Sequence, residues 1–178
     1  MIKSPFPLAK VYGLLEPGPV LLLSTRHQGK SNVMTLSWQT MLEFEPPLIA
    51  CVVSNRDFSF TALKKTRQCV LNIPGSELAQ QVVDCGNCSG RDTDKFAAFG
   101  LTPVDAGSVD APLIAECFAN LECRVSDTRM VNRYGLFVLE VVQAWHGTAS
   151  PPPRTLHHRG YGDFMLAGET IHLPSKMR

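Results

Sequence analysis

The sequence predicts a mainly β protein, an antiparallel barrel closed on itself with peripheral helices. Three observations carry this expectation. Three strand-like segments precede the first helical period, and the last third of the chain returns to strand. Nowhere do strands and helices alternate as a doubly wound parallel sheet requires.

Pro19 to Thr25 (PVLLLST) is short, apolar and closed by polar residues, which predicts a buried strand. Ser31 to Trp38 sets Val33, Thr35 and Ser37 against Met34, Leu36 and Trp38, the period of two that gives a strand two unlike faces. Between them, Arg26 to Lys30 with Gly29 fits a hairpin turn. Pro47 to Ser54 (PLIACVVS) reads as a third, central strand. The period then changes: Phe58, Thr61, Ala62 and Lys65 fall at helical spacing, with Asp57 or Ser59 as N-cap. Gln68 to Ile73 is strand again, ended by Pro74-Gly75. Ser76 to Val83 is expected to be helical behind a Ser76 cap, and Arg91 to Phe99 to form a shorter helix stopped by Gly100. Phe118 to Val125 and Tyr134 to Trp145 are two long strands joined by the polar stretch Ser126 to Arg133, the second rich in β-branched and aromatic residues. Gly160 to Leu173 shows no clean period.

The chain has 178 residues, the length of one domain with a real core, so residues 1–178 are expected to form a single domain. Seventeen Lys and Arg against 16 Asp and Glu leave a net charge of +1 with no block of like charges. A polynucleotide binder carries a basic excess or stripe, so nucleic acid is not expected as a partner. The longest apolar runs, Val20–Leu23 and Pro46–Val53, fall far short of the roughly 20 residues of a membrane-spanning helix. The segment MIKSPFPLAK lacks the apolar run of a secretory signal, and Pro151-Pro152-Pro153 is too short to link domains. With six scattered cysteines, these features lead us to expect a soluble cytoplasmic protein with reduced thiols.

Three constellations have chemical potential. Ser54, Asn55, Arg56, Ser59 and Thr61 lie where a strand end meets a helix start, the setting in which hydroxyls, a guanidinium and unpaired amides cradle a phosphate. An ordinary capped helix after an amphipathic strand accounts for the same residues. Ser89-Gly90-Arg91-Asp92 with Lys95 places Arg91 and Lys95 four apart, so on one helix they converge on an anion. A solvated helix start, with Ser89 as cap and Asp92 paired to Lys95, is the plainer alternative. Cys85-Gly-Asn-Cys88 has the spacing of a redox dithiol or half a zinc site, but no second such pair and no spaced His pair accompanies it. His157 and His158 are adjacent, so they do not naturally face one metal. Nucleophile-elbow, phosphate-loop and dinucleotide fingerprints are absent. No residue is singled out as catalytic and no metal is expected.

In this order the segments resemble the flavin reductase-like family, FMN-binding split β-barrels, and are most similar to its flavoredoxins. The resemblance covers Leu22 to Gly168. Its carriers are N-x-M-T-x-S-W at 32–38, P-P-L-I at 46–49, Ser59 through Thr66 to V-L-N-I-P at 70–74, C-G-x-x-S-G-R-D-x-x-K-F at 85–96 and F-V-L-E-V-V at 137–142. It implies non-covalent FMN near a homodimer interface, with Asn32, Met34 and Thr35 on the strand approaching the flavin ring and Trp38 an aromatic neighbour of it. Ser54, Arg56 and Ser59 correspond to the phosphate-binding stretch, Arg91 to the S-G-R-D turn and Lys95 to the lysine that neutralises the phosphate. Tyr134 and Phe164 correspond to positions around the ring. The implied activity is flavin reduction by NADH or NADPH as a transient hydride donor, with reduced flavin kept or passed to a partner oxygenase. The alternative is a flavoredoxin-like electron carrier working with a protein redox partner. Either way the flavin carries the redox chemistry, so no protein nucleophile or base is needed.

Overall fold

A computed structural model describes residues 18–147 and 153–174; the expectations for residues 1–10, and for Pro151 and Pro152, lie outside them. The elements in chain order are β1 (Leu21–His27), β2 (Lys30–Leu36), β3 (Gln39–Phe44), β4 (Pro47–Val52), α1 (Phe58–Thr66) and β5 (Gln68–Ile73). A 3-10 turn (Ser76–Leu78) then leads into α2 (Ala79–Asn87), α3 (Lys95–Phe99), β6 (Pro103–Val104) and β7 (Leu113–Ile114). The remainder is β8 (Ala119–Asp127), α4 (Val131–Tyr134), β9 (Leu136–His146), β10 (Leu156–Gly160) and β11 (Asp163–Leu166).

Seven strands make one antiparallel sheet in the order β2-β1-β5-β8-β9-β4-β3. Strand alternation gives this sheet its inside. Leu21 and Leu23, Ile49 and Cys51, Cys69 and Leu71, Cys123 and Val125, and Phe137 and Leu139 each sit two apart on their strands and join one buried cluster. Contributions from both halves of the sheet to one cluster mean that it curls round a shared interior. The expected closure does not occur: β2 and β3 end the order, and among the described residues no ladder joins them. The barrel is split there. On the outer face, Val20, Leu22 and Val33 form a second cluster with Val82, Cys85 and Phe96, which seats α2 and α3.

Most expected elements are present with shifted ends. The first hairpin closes through Gln28 and Gly29, both at positive φ (52° and 75°), the type I′ geometry matching strand twist. At Asp57, the N-cap position of α1, the carboxylate accepts the Ser54 amide at 3.0 Å and makes no cap bond to the helix. Ser76 likewise caps nothing with its side chain; its amide donates to the Arg154 carbonyl, and the helix runs on to Asn87. Residues 91–94 are not helical. Ser89 draws the amides of Asp92 and Thr93 to its carbonyl and that of Arg91 to its hydroxyl, while Asp94 caps α3 by accepting from Phe96 and Ala97. Gly100 terminates α3 in the left-handed region, as expected. The tail, expected to have no regular period, contains the β10–β11 hairpin, turned by Gly160, Tyr161 and Gly162 at positive φ. The sequence pattern had assigned no element to β3, five of whose six residues are exposed.

Two buried polar groups bind the barrel to its surface loops. Asn72 donates to the Leu22 carbonyl at 2.8 Å and accepts from the Ile114 amide at 2.9 Å and Asn120 at 2.8 Å, joining β1, β5, β7 and β8. Glu122, fully buried on β8, accepts from Trp145 Nε1 at 2.6 Å, from Gly107 at 3.0 Å and from the Ser108 amide. Burial pushes its carboxyl up, but hydrogen bonds from Trp145 and from the amides of Gly107, Ser108 and Val109 outweigh it and hold the group below the usual 4.5. A depressed carboxylate stabilises the fold above its unfolded value and loses that contribution as pH falls through the folded value. Glu122→Gln is therefore expected to lower the denaturation midpoint at neutral pH, with the gap to wild type shrinking below pH 4.5. Urea melts across that range check it.

Candidate functional site

Among the described residues, the split leaves β2 hydrogen-bonded on one side only, to β1, with which it makes seven consecutive residue pairs. An edge strand directs alternate N–H and C=O groups away from its partner. A cleft of about 180 Å³ opens beside this edge, where β2 meets the N-terminus of α1, the C-terminus of α2 and the 88–90 turn. Asn32, Met34, Thr35, Arg56, Ser59 and Lys95 line it, six of the residues singled out from sequence.

Within the cleft, buried Asn32 donates to Ser59 Oγ at 2.8 Å, fixing the α1 start against β2. Thr35 Oγ1 donates to the Val82 carbonyl, which ties β2 to α2. The first amides of a helix lack the usual intrahelical acceptor; in α1 that of Phe60 is taken by the Asp57 carbonyl at 3.1 Å, leaving those of Phe58 and Ser59 as the donors this end offers an anion. Gly90 is required by proximity: a Cβ there would clash with Asn32 Oδ1 and lie 2.8 Å from the Phe58 ring. Phe164, on β11, lines an adjoining recess that shares Thr35, Gly86 and Asn87 with the cleft.

Four expected residues lie elsewhere. Ser54 shapes the turn before α1, accepting the Arg56 amide on its hydroxyl at 3.2 Å, and does not line the cleft. Arg91 and Lys95 do not share a helix face, because α3 begins only at Lys95; Arg91 borders a different recess. Trp38 is 56% exposed at the end of the split, and Tyr134, stacked by Arg133 at 5.1 Å, is equally exposed on α4. Neither borders the cleft. Conversely, sequence reading did not pick out Asp57, Phe58 and Asn87 as lining residues. The helical period at Phe58 predicted α1 but gave no sign of which face of its first turn would be left open.

Lys95 is the electrostatic centre. It is only 4% exposed, and its Nζ donates to the Cys85 carbonyl at 2.6 Å. Among the described residues it has no carboxylate within ion-pair distance; the expected pairing with Asp92 does not form. Burial pulls its pKa down, against weaker upward effects from Cys88, Cys85 and Asp57. Of its three donors, one serves the carbonyl. Burial pushes the Cys85 thiol up to about 11 despite the nearby ammonium, so it stays a thiol at neutral pH, unlike the low-pKa attacking cysteine of a redox dithiol. Among the described residues no three His, Cys, Asp or Glu side chains converge as metal ligands, and no helix is long and apolar enough to cross a membrane.

A mainly antiparallel split barrel with a cation-lined cleft at its open edge defines the class of FMN-binding split-barrel proteins, and comparison with known proteins agrees. The flavin reductase like domain matches residues 14–165, and the chain belongs to that family. The uncharacterized protein YddH of Escherichia coli is 30% identical over 94% of this chain and 96% of its own. The reductase component of a 4-nitrophenol 4-monooxygenase/4-nitrocatechol 2-monooxygenase from Rhodococcus opacus is 29% identical over 82% of this chain and 74% of its own. Among solved structures, an FMN-binding domain of a flavin reductases-like enzyme from Shewanella baltica superposes with a TM-score of 0.82 at 29% identity, covering 96% and 97% of the two chains. The flavoredoxin of Desulfovibrio vulgaris gives 0.85 at 21% identity, covering 99% and 98%, a likeness of fold.

A lysine whose folded pKa is lowered costs stability while protonated, and the cost is relieved as pH rises from the folded value to 10.5. In flavin-free protein, the stability of wild type relative to Lys95→Met is expected to increase over that alkaline window. Paired thermal melts from pH 7 to 10.5 measure the trend.

Proposed function

We propose that the protein is an FMN-binding oxidoreductase acting as an NAD(P)H-dependent flavin reductase, residues 1–178 working as one domain in the cytoplasm. The observation that supports this most is Lys95, a buried ammonium with no carboxylate partner among the described residues, in a cleft whose other donors suit a phosphate dianion. An arriving phosphate supplies the missing counter-charge, accepted by Lys95 and Arg56, by Ser59 and by the first-turn amides of α1. The open edge of β2, from Asn32 to Thr35, offers backbone groups to the polar rim of a flat heteroaromatic ring. Phe164 in the adjoining recess offers an apolar surface for that ring. FMN, if held there by these residues, would supply the redox chemistry, that of a hydride acceptor toward a nicotinamide donor. The protein's part is to place the ring, neutralise the phosphate and leave one face open. The likeness to a monooxygenase reductase component supports an oxygenase as recipient of reduced flavin.

A homodimer belongs to the same reading. Strand β3 exposes Met41, Leu42 and Phe44, the last at 81%, next to exposed Trp38. An apolar edge strand left in water invites pairing or aggregation. Covering it with a second copy would also bury Trp38, restoring it to the neighbourhood of a flavin that it does not reach within one chain.

The protein purified without added flavin and then supplied with FMN is expected to show a flavin band that bleaches anaerobically with NADH or NADPH. A band that persists until dithionite is added points instead to an electron carrier awaiting a protein partner. Lys95→Ala is expected to weaken FMN binding by about 10–150-fold, the loss of a charge-assisted contact of about 1.5–3 kcal/mol. An unchanged dissociation constant would remove Lys95 from the site. Phe44→Asp is expected to shift the mass measured by light scattering from dimer to monomer.

A further inference from the structure

Of the six cysteines, five are buried and Cys88 alone is half-buried. It is the C-cap of α2, three residues after Cys85, and both side chains line the cleft. Residues three apart share one side of a helix with their Cα atoms about 5 Å apart, inside the range of about 4.4–6.8 Å that a disulfide spans. The Cys88 thiol donates to the Asp84 carbonyl at 3.4 Å, so its sulfur is folded back along the turn that carries Cys85. The two sulfurs are electrostatic neighbours of each other and of the Lys95 ammonium. A cation in that place stabilises the anionic sulfur through which a thiol reacts.

The same turn holds the donors of the cleft in position. The Cys85 carbonyl takes Lys95 Nζ at 2.6 Å, and a Cβ on Gly86 would lie 3.5 Å from the Thr35 side chain. Behind the turn, Cys85 packs in the outer cluster with Val82 and Phe96. Bringing the sulfurs to the bond length of about 2.05 Å draws Cys85 out of that cluster or Cys88 inward. Gly90, two residues on, has no slack to follow, since a Cβ there would already meet Asn32 Oδ1 and the Phe58 ring. The displacement therefore passes to the Lys95 contact or to the Asn32–Ser59 pair.

We propose that hydrogen peroxide closes Cys85 and Cys88 into a disulfide in the flavin-free protein, and that this bond hinders FMN from entering the cleft. The proposal rests on the flavin reading of the cleft and adds its regulation. Dioxygen that takes two electrons from reduced flavin leaves as hydrogen peroxide, so the proposed activity is itself a source of the oxidant. Cys88 attacks one peroxide oxygen; the O–O bond breaks, and the departing hydroxide leaves as water with the Cys88 proton. The sulfenic acid so formed is attacked by Cys85; its S–O bond breaks, and the second hydroxide leaves as water with the Cys85 proton. Two thiols thus lose two electrons and two protons, and one peroxide becomes two waters. Coupling is reciprocal, so FMN already in place opposes the bond. The disulfide closes on an emptied site and keeps it empty until a thiol reductant cleaves it by exchange.

The full chain, reduced and freed of flavin, is treated with hydrogen peroxide, alkylated in denaturant and mapped by mass spectrometry. Its FMN dissociation constant is measured before peroxide, after it, and again after dithiothreitol. The expected result is a loss of two hydrogens located at Cys85 and Cys88, FMN binding weaker by about tenfold or more, and recovery with dithiothreitol. Cys88→Ser, compared with itself, shows no such response to peroxide. Cys85→Ser leaves Cys88 as a sulfenic acid that a 1,3-diketone probe captures. The proposal is overturned if peroxide forms no bond between Cys85 and Cys88, if the bond leaves FMN affinity unchanged, or if Cys88→Ser loses affinity on peroxide as wild type does. Should the reduced protein bind no FMN, the reading of the cleft fails and the gating with it, while the mass still decides whether the pair closes.

Discussion

The attachment of β2 to the sheet along one side only governs the rest of the site. Seven residue pairs with β1 fix its register, and among the described residues no strand occupies its other edge. A one-residue slip would exchange Asn32 and Met34 for Val33 and Thr35 on the inner face. The inner face is specified by the interior cluster, which receives Leu36, and the outer by Val33 in the cluster beneath α2. Hydrophobic patterning thus sets which side chains reach the cleft, and the open edge supplies the place for them to act.

What the helices add is charge placement. The N-terminus of α1 and the C-terminus of α2 meet at the cleft, one rich in free donors and the other in free acceptors. Lys95 bridges that difference, satisfying the Cys85 carbonyl while remaining short of a counter-ion. Asp94 contributes indirectly: by capping α3 it starts the helix at Lys95 and directs the chain inward at that residue. A cation alone on the surface would attract phosphate weakly, whereas one held out of water is a strong and localised attractant.

Much of this was legible in the sequence, and the gaps have physical causes. Burial left its signature on most strands: short apolar runs for β1 and β4, period-two alternation for β2, and β-branched and aromatic residues for β9. Strand β3 lacked that signature, since most of its side chains meet no core within the chain. The helix expected from Arg91 failed because Ser89 and Asp94 capture backbone amides locally, and spacing arguments do not register such competition. Ser59 and Lys95, singled out by residue type, and Asn32, singled out by the resemblance, are buried around one cleft; Trp38 and Tyr134 came from the same resemblance yet stand outside it, because sequence order carries no measure of how far each lies from the open edge.

Three thiols lie inside the barrel: Cys51, Cys69 and Cys123, the last two directly opposite on β5 and β8. Burial pushes Cys51 up to about 12, and a hydrogen bond between Cys69 and Cys123, together with burial, raises Cys69 as well. While the sheet holds, oxidants and alkylating reagents meet neither access nor thiolate. When it opens, all three meet reagent together, whereas Cys88 beside the cleft is only half-buried from the start. The rate at which these three thiols are captured is thus a clock for barrel openings.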